Sequence, residues 1–238
     1  MAKNIKDIII KELKSGGNKD FALHHMKFFQ THKGGYGEGD RFFGLKVPRQ
    51  RAVSKKYWKQ IKPEEAGDLL KHEIHEVRFT ALMILIEHYK KACGKLKKKI
   101  VKIYIGNAKY VNNWDLVDLS APFITGPYWF ENGTKDLWAF ARSGNLWKER
   151  IAVLSTLYFI RQGDFSQTIK LAEHFLGHKH DLMHKAAGWM LREAGKRDIK
   201  VLYDFLDKYH KLMPRTMLRY SIEKLPEKER KRYMKKDN

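Results

Sequence analysis

The sequence predicts an all-α protein, a HEAT-like α-solenoid of antiparallel helix pairs that curves around a basic concave groove. Three observations lead to this prediction. Apolar residues recur at helical spacing along most of the chain, and no stretch alternates apolar and polar residues as a half-buried strand would. Short breaks rich in Gly and Pro separate the helical segments. Alternate helices also resemble one another at a loose period.

The elements follow one another from residue 4 onward. Apolar residues at helical spacing predict the first helix, which Gly16-Gly17 ends. They are Ile5, Ile8, Ile9 and Leu13. The segment 34–48 contains five glycines, which oppose a regular helix, so we expect a structured connector there. Predicted breaks farther on include Gly126-Pro127 and Gly195. The predicted helices lie near residues 4–15, 19–32, 48–61, 63–71, 74–92, 95–106, 113–125, 134–142, 146–162, 165–177, 181–194, 198–211, 214–223 and 226–236.

The repeat is visible in four segments that start at Arg78, Asp118, Arg150 and Lys185. Successive starts are 40, 32 and 35 residues apart, and each start is followed three positions later by a small or β-branched residue that would let a neighbour approach. A loose period of this length, with two helices per unit, is typical of a solenoid whose inner helices line one extended surface. We expect the four residues on successive inner helices.

Composition restricts the class of protein. Lys and Arg number 48 against 27 Asp and Glu, a net charge of +21, so nucleic acid is the first partner to consider and an anionic membrane surface the second. The lone Cys93 excludes an internal disulfide. No apolar run reaches the length of a membrane span. We expect one cytoplasmic domain over 1–238, with a basic helix or tail at 226–238.

The segment Asn112–Pro122 carries the least ordinary side chains. In a helix, Trp114 and Asp118 stand one turn apart on one face. The apolar residues point the opposite way: Leu116, Leu119 and Phe123. Asp115 lies about 100° from Trp114 and is better placed as an acid at the helix N-terminus. Ordinary roles stay open, since Trp in helical repeats is most often core and Asp118 could cap a helix or pair with a basic residue.

Five segments of the sequence resemble the AlkD-like DNA alkylation repair glycosylases. They are 37–51 (GEGDRFFGLKVPRQR), 75–82 (HEVRFTAL), 112–118 (NNWDLVD), 146–154 (LWKERIAVL) and 185–196 (KAAGWMLREAGK). Members of this family share a HEAT-like helical array and excise positively charged alkylated purines such as N3-alkyladenine and N7-alkylguanine. The resemblance therefore implies a glycosylase of base-excision repair that acts on double-stranded DNA.

The resemblance also implies roles for individual residues. Asp118 matches the catalytic aspartate, Trp114 and Trp189 match tryptophans that contact the deoxyribose, and Arg150 matches an arginine that engages the DNA backbone. One departure is the missing tyrosine of the N-terminal helix, where HHMKFFQ stands and where Met26 or Phe28 is expected to fill the space. We expect basic residues near this site to contact DNA: Arg78, Lys148, Lys185 and Arg192.

No cofactor is required by this chemistry, and no metal is expected. The histidines lack Cys partners and an HExxH pattern, although His180 and His184 could share a helical face. We expect a monomer without an obligate protein partner, cytoplasmic and associated with the nucleoid when it acts on DNA. Two alternatives stay open: a non-catalytic HEAT-like protein that binds branched or damaged DNA, and a protein–protein scaffold that would leave the charge unexplained.

Overall fold

The computed structural model describes residues 4–235, and this part of the chain is helical apart from loops and one isolated β-bridge between Arg41 and Ile74. The all-α prediction is confirmed. Two short 3₁₀ segments lie at Ala108–Tyr110 and Ala121–Phe123. The α-helices are α1 (Ile5–Ser15), α2 (Lys19–Phe28), α3 (Val47–Tyr57), α4 (Pro63–Leu69), α5 (His75–Lys91), α6 (Gly94–Gly106), α7 (Trp114–Ser120), α8 (Thr125–Asn132), α9 (Lys135–Ala141), α10 (Leu146–Arg161), α11 (Ser166–His174), α12 (Asp181–Arg197), α13 (Ile199–Tyr209), α14 (Arg215–Ile222) and α15 (Glu227–Met234).

The helices form two compact units, one up to Ile124 and one from Thr125. In the N-terminal unit, α5 is the central helix and packs against α3, α4, α6 and α7. Helices α4 and α6 also pack against each other. The run of α5 from Val77 to Ile86 is buried on every side. Apart from Arg78 and Thr80 this run is apolar all round, and such a helix needs a central position because no face of it is suited to water.

In the C-terminal unit, α8, α10, α12 and α14 pack in one row, and α9, α11 and α13 pack against that row. Helices α12 and α14 approach each other closely at Gly188. A Cβ on Gly188 would overlap the carbonyl oxygen of Met217 and lie 2.7 Å from Cβ of Tyr220. The expected small residue in the segment that starts at Lys185 therefore does allow a neighbouring helix to approach.

Two predicted breaks are wrong. Gly126-Pro127 lies inside the first turn of α8, where proline is tolerated because its missing N–H has no intrahelical partner there. Gly195 lies inside α12, where a Cβ would be 2.5 Å from Cδ2 of Leu202 on α13. Glycine at this site serves helix packing. The predicted second helix is also too long, since α2 ends at Phe28.

The four aligned segments start on α5, α7, α10 and α12, and the one that starts at Asp118 continues into the 3₁₀ segment Ala121–Phe123. Their placement on successive inner helices stays a prediction. The curvature of the array, its concave groove and the single domain over 1–238 stay predictions. Helix α15 occupies Glu227–Met234 of the predicted basic segment 226–238, and residues 236–238 lie outside the described part of the chain. Between residues 4 and 235, the structure has no helix long and apolar enough to cross a membrane.

Candidate active site

The Gly-rich connector between α2 and α3 is held by one buried carboxylate. Glu76, in the first turn of α5, accepts hydrogen bonds from the backbone N–H groups of Phe43 (3.0 Å), Gly44 (2.8 Å) and Leu45 (3.1 Å). Gly44 has φ +82°, and a Cβ there would overlap the carbonyl oxygen of Asn18. The connector is therefore ordered, as predicted, because α5 supplies the acceptor and glycine allows the turn.

A buried cluster of charges joins this connector to α5 and α7. His75 Nδ1 lies 3.0 Å from Asp40 Oδ2, and His75 Nε2 lies 2.9 Å from Asp115 Oδ2. Arg78 donates from Nη2 to the other oxygen of Asp40 at 2.5 Å. Asn113 adds a longer bond of 3.4 Å to Asp40. Two cations and two carboxylates thus balance one another at the point where the connector meets both helices.

The imidazole of His75 is charged at neutral pH. Burial alone would lower its pKa, but the charge of Asp115 and the hydrogen bonds of Asp115 and Asp40 outweigh burial and raise the pKa of His75 to about 9. Phe42 stacks on the ring at 4.8 Å between centroids, and Phe29 lies at 5.0 Å. Two carboxylates and two aromatic faces therefore enclose one imidazolium.

The start of α7 is fixed by this surrounding structure. Asn113, which is fully buried, caps the helix by accepting from the N–H of Trp114 at 2.8 Å. The Trp114 ring lies 5.5 Å from Phe29 and 5.9 Å from Phe28, and its Nε1 donates to the hydroxyl of Tyr36 at 3.3 Å. Trp114 stays partly exposed, so one part of the indole is packed and another part faces outward.

Tyr36 is a residue that the sequence did not single out. It lies in the Gly-rich connector rather than on α2, and its hydroxyl donates to the carbonyl of Phe28 at 3.1 Å. The expected substitutes lie nearby in the chain: Met26 is 39 % exposed and Phe28 is 55 % exposed. A tyrosine therefore reaches the Trp114 indole after all, from a different element. The one available signal was an aromatic residue between glycines.

Asp118 lies one turn after Trp114 on α7, as predicted, and is partly exposed. Burial raises the pKa of the Tyr104 phenol far above its usual range, and the negative charge of Asp118 adds to this effect. Asp115, by contrast, accepts from the N–H of Leu116 at 2.8 Å in the first turn and binds His75. The predicted difference between the two acids is confirmed for Asp115.

The apolar side of α7 is only partly as predicted. Leu116 is fully buried, but Leu119 is half-buried and Phe123 is 38 % exposed. These two side chains line a cavity with residues of α3 and α5 instead of entering the core. The helical period also ends early, because Phe123 lies in the 3₁₀ segment Ala121–Phe123 beyond α7.

In the C-terminal unit, α12 carries three of the predicted site residues: Lys185, Trp189 and Arg192. Lys185 forms an ion pair of 2.8 Å with Asp181, and Trp189 is half-exposed, with its Nε1 donating to Glu193 at 3.1 Å. The first turn of α12 is tied to α10 by Arg150, which is 4 % exposed and donates from Nη1 to the carbonyl of Leu182 at 2.6 Å.

The remaining predicted DNA contacts differ in accessibility. Lys148 is partly exposed, with Nζ 5.9 Å above the ring of Phe140. Arg192 forms ion pairs with Glu223 and, at 3.8 Å, with Glu193. Arg78 is buried in the cluster around His75 and also donates to carbonyls of the loop before α5. Its burial and these hydrogen bonds give Arg78 a structural role within the fold.

The histidines considered as metal ligands have other partners. His75 belongs to the charged cluster, His178 Nε2 lies 3.1 Å from Glu149, and His184 Nε2 lies 2.5 Å from the carbonyl of His178. Over residues 4–235 there is no group of three or more His, Cys, Asp or Glu side chains that could hold a metal ion.

A search of the curated proteins finds no match. Among solved structures, a predicted DNA alkylation repair enzyme from Enterococcus faecalis matches with a TM-score of 0.69 and 16 % identity, over 89 % of this chain and 97 % of that one, which shows a shared fold. The family model described as DNA alkylation repair enzyme matches residues 9–225. The chain therefore belongs to the DNA alkylation repair enzyme family.

Proposed function

We propose that the protein is a monofunctional DNA glycosylase that hydrolyses the N-glycosidic bond of positively charged alkylated purines, N3-alkyladenine and N7-alkylguanine, in duplex DNA. The observation that carries the proposal is the pair Trp114 and Asp118, one turn apart on α7 and both partly exposed. The start of this helix is held by the buried His75 cluster, so the pair projects from a rigid element.

The chemistry fits a single carboxylate. An alkylated purine with a positive charge is already a good leaving group, so the reaction needs little protonation of the base. It needs stabilisation of an oxocarbenium-like sugar and a placed water, and Asp118 can supply both. The face of Trp114 adds an attraction of about 0.5–2 kcal/mol for a cationic sugar. No cofactor takes part in this scheme.

Asp115 is the competing acid, and its contacts argue against a catalytic role. One of its oxygens binds the charged imidazole of His75, and the other accepts from the backbone at the start of α7. An acid bound in this way orients the helix, whereas Asp118 lies outside that cluster. We therefore assign the sugar-stabilising role to Asp118 and a positioning role to Asp115.

Residues of α10 and α12 complete the proposal. Trp189 is half-exposed and is proposed to contact the deoxyribose, and Lys148 and Lys185 are proposed to contact phosphates. Arg150 is buried and holds the first turn of α12, so its proposed effect on DNA acts through that helix. Arg78 is not carried into the proposal, since its guanidinium is buried and bonded to Asp40.

The test replaces Asp118 by asparagine and measures base release from a duplex that contains one N7-methylguanine. Asp118→Asn should retain its melting temperature and its affinity for duplex DNA, and should release base at least about 100-fold more slowly, the usual loss when a group that stabilises transition-state charge is removed. The matched control is Asp7→Asn, an exposed acid in the first turn of α1, which should behave as wild type.

Two outcomes would contradict the proposal. Release of base by Asp118→Asn at nearly the wild-type rate would remove the catalytic assignment. An adduct between enzyme and DNA trapped by borohydride would show a Schiff base, which a monofunctional enzyme does not form. Binding of duplex DNA without any base release by the wild type would instead favour the alternative, a non-catalytic protein that recognises branched or damaged DNA.

A further inference from the structure

A cavity of about 480 Å³ lies in the N-terminal unit between α3, α5 and the end of α7. Its size is within the range of about 300–1,000 Å³ that is typical of small-ligand sites. Nothing in the proposed chemistry of Asp118 uses it. The lining residues are Arg51, Ser54, Lys55, Trp58, Met83, Ile86, Glu87, Lys90, Leu119 and Phe123.

The floor and sides of the cavity are apolar and partly aromatic. Met83 and Ile86 of α5 are buried and form the floor. Phe123 is 38 % exposed and offers a ring surface to a bound group. The indole of Trp58, by contrast, is half-buried, with the His88 ring at 5.6 Å between centroids and Lys59 Nζ 5.6 Å above its ring. Exposed rings in a cavity lined by cations are the combination that binds unstacked nucleobases without regard to sequence.

The rim carries two cations of α3 that no carboxylate in the described range 4–235 pairs with. Arg51 and Lys55 lie one turn apart on α3 and are exposed, and neither forms an ion pair with any residue in the described range 4–235. Lys90, by contrast, is paired with Glu87 at 2.7 Å. A guanidinium and an ammonium on one helix face can hold the oxygens of one phosphate, since the guanidinium presents a planar fork of donors.

We propose that this cavity binds one unstacked nucleotide of the DNA strand, with the base against Met83, Ile86 and Phe123 and the phosphate on Arg51 and Lys55. The proposal shares its DNA partner with the proposed function but does not depend on the chemistry of Asp118. Leu119 is the next residue after Asp118, so a nucleotide held here lies against the helix that carries the candidate catalytic acid.

The test compares two labelled single strands by fluorescence anisotropy: a thymidine pentamer and a pentamer of abasic units with the same backbone. The wild type should bind the thymidine strand at least about 5-fold more tightly, because stacking of one base contributes about 1 kcal/mol or more. Phe123→Ala should lose this preference, and its control Phe130→Ala, which removes a ring that is 39 % exposed elsewhere, should keep it.

The phosphate contacts are tested by charge-matched variants. Arg51→Ala/Lys55→Ala should weaken binding of the thymidine strand at least about 10-fold, the effect of losing about 1.4 kcal/mol. Lys11→Ala/Lys98→Ala removes the same charge at exposed positions of α1 and α6 and should have a much smaller effect. Thermal melts of every variant should match the wild type, which separates binding from folding.

Three results would overturn the proposal. They are equal binding of the thymidine and abasic strands by the wild type, retention of the preference in Phe123→Ala, and equal losses in the two double variants. These tests measure binding of a single strand, whereas the test of Asp118 measures base release from a duplex. Loss of base release and loss of nucleotide binding in the cavity can therefore be observed separately.

Discussion

Replacing His75 by glutamine should abolish a pH dependence of stability that the buried cluster produces above neutral pH. In the folded protein this imidazole lies between the carboxylates of Asp40 and Asp115, at 3.0 Å and 2.9 Å, and its pKa is about 9 instead of 6.5. The unfolded chain has no such partners. The charged form of His75 is therefore bound more favourably in the folded state than in the unfolded one.

The sign and the size of the effect follow from these two pKa values. Because the folded value is the higher one, the stabilising contribution is fully present below about pH 6.5 and is lost as the pH rises through about 9. The difference between 6.5 and about 9, at 1.36 kcal/mol per pKa unit, corresponds to about 3 kcal/mol. That is a large fraction of the 5–15 kcal/mol that ordinary domains have.

The assay is the free energy of unfolding in urea at several pH values from 6 to 10, for the wild type and His75→Gln. Subtracting one profile from the other removes the titration of groups that both proteins share. The difference should fall by about 3 kcal/mol across this window, with most of the loss between pH 6.5 and 9. Parallel profiles across the window would refute the assignment of a charged imidazolium to His75.

Three further predictions concern other parts of the molecule. Glu76→Gln should lower the free energy of unfolding by roughly 3 kcal/mol, because an amide cannot accept all three backbone N–H bonds of the connector; an unchanged urea midpoint would contradict this. Gly188→Ala should cost about 1–3 kcal/mol in the same measurement, since the new Cβ overlaps the carbonyl of Met217, whereas Ala at the exposed Gly177 should not. Lys148→Ala should reduce the slope of log affinity for duplex DNA against log salt by about 0.9 and leave the melting temperature unchanged; an identical slope would exclude a phosphate contact.

Much of the fold could be predicted because helical periodicity is a local signal. The face shared by Trp114 and Asp118 depends only on α7 starting at Trp114, and the cap that starts it, Asn113, is the preceding residue. The close approach at Gly188 was likewise visible as a small residue at a repeated position. Such features depend on residues close together in the sequence, so one amino-acid sequence is enough to predict them.

The errors at glycine and proline arise because both residues have two uses. Gly126-Pro127 was interpreted as a break, yet proline also suits the first turn of a helix, and here Pro127 lies in the first turn of α8. Gly195 was interpreted as a stop, yet in α12 its missing side chain allows Leu202 of α13 to approach. The choice between these uses depends on which helix packs against the residue, and that is a tertiary property.

The contacts of Tyr36 and Arg78 could not be predicted for a related reason. Tyr36 meets Trp114 across 78 residues of sequence, and Arg78 meets Asp40 across 38. No local pattern links such pairs. Arg78 was therefore predicted to contact DNA because of its charge, although its guanidinium forms an ion pair with the buried Asp40 of the connector.

The central claim is that the carboxylate of Asp118 stabilises the sugar cation during loss of an alkylated base. The most direct measurement is the single-turnover rate of N7-methylguanine release from duplex DNA by Asp118→Asn beside wild type and Asp7→Asn. We predict a rate at least about 100-fold lower for Asp118→Asn alone, with DNA affinity and melting temperature retained. Equal rates for the three proteins would contradict the claim.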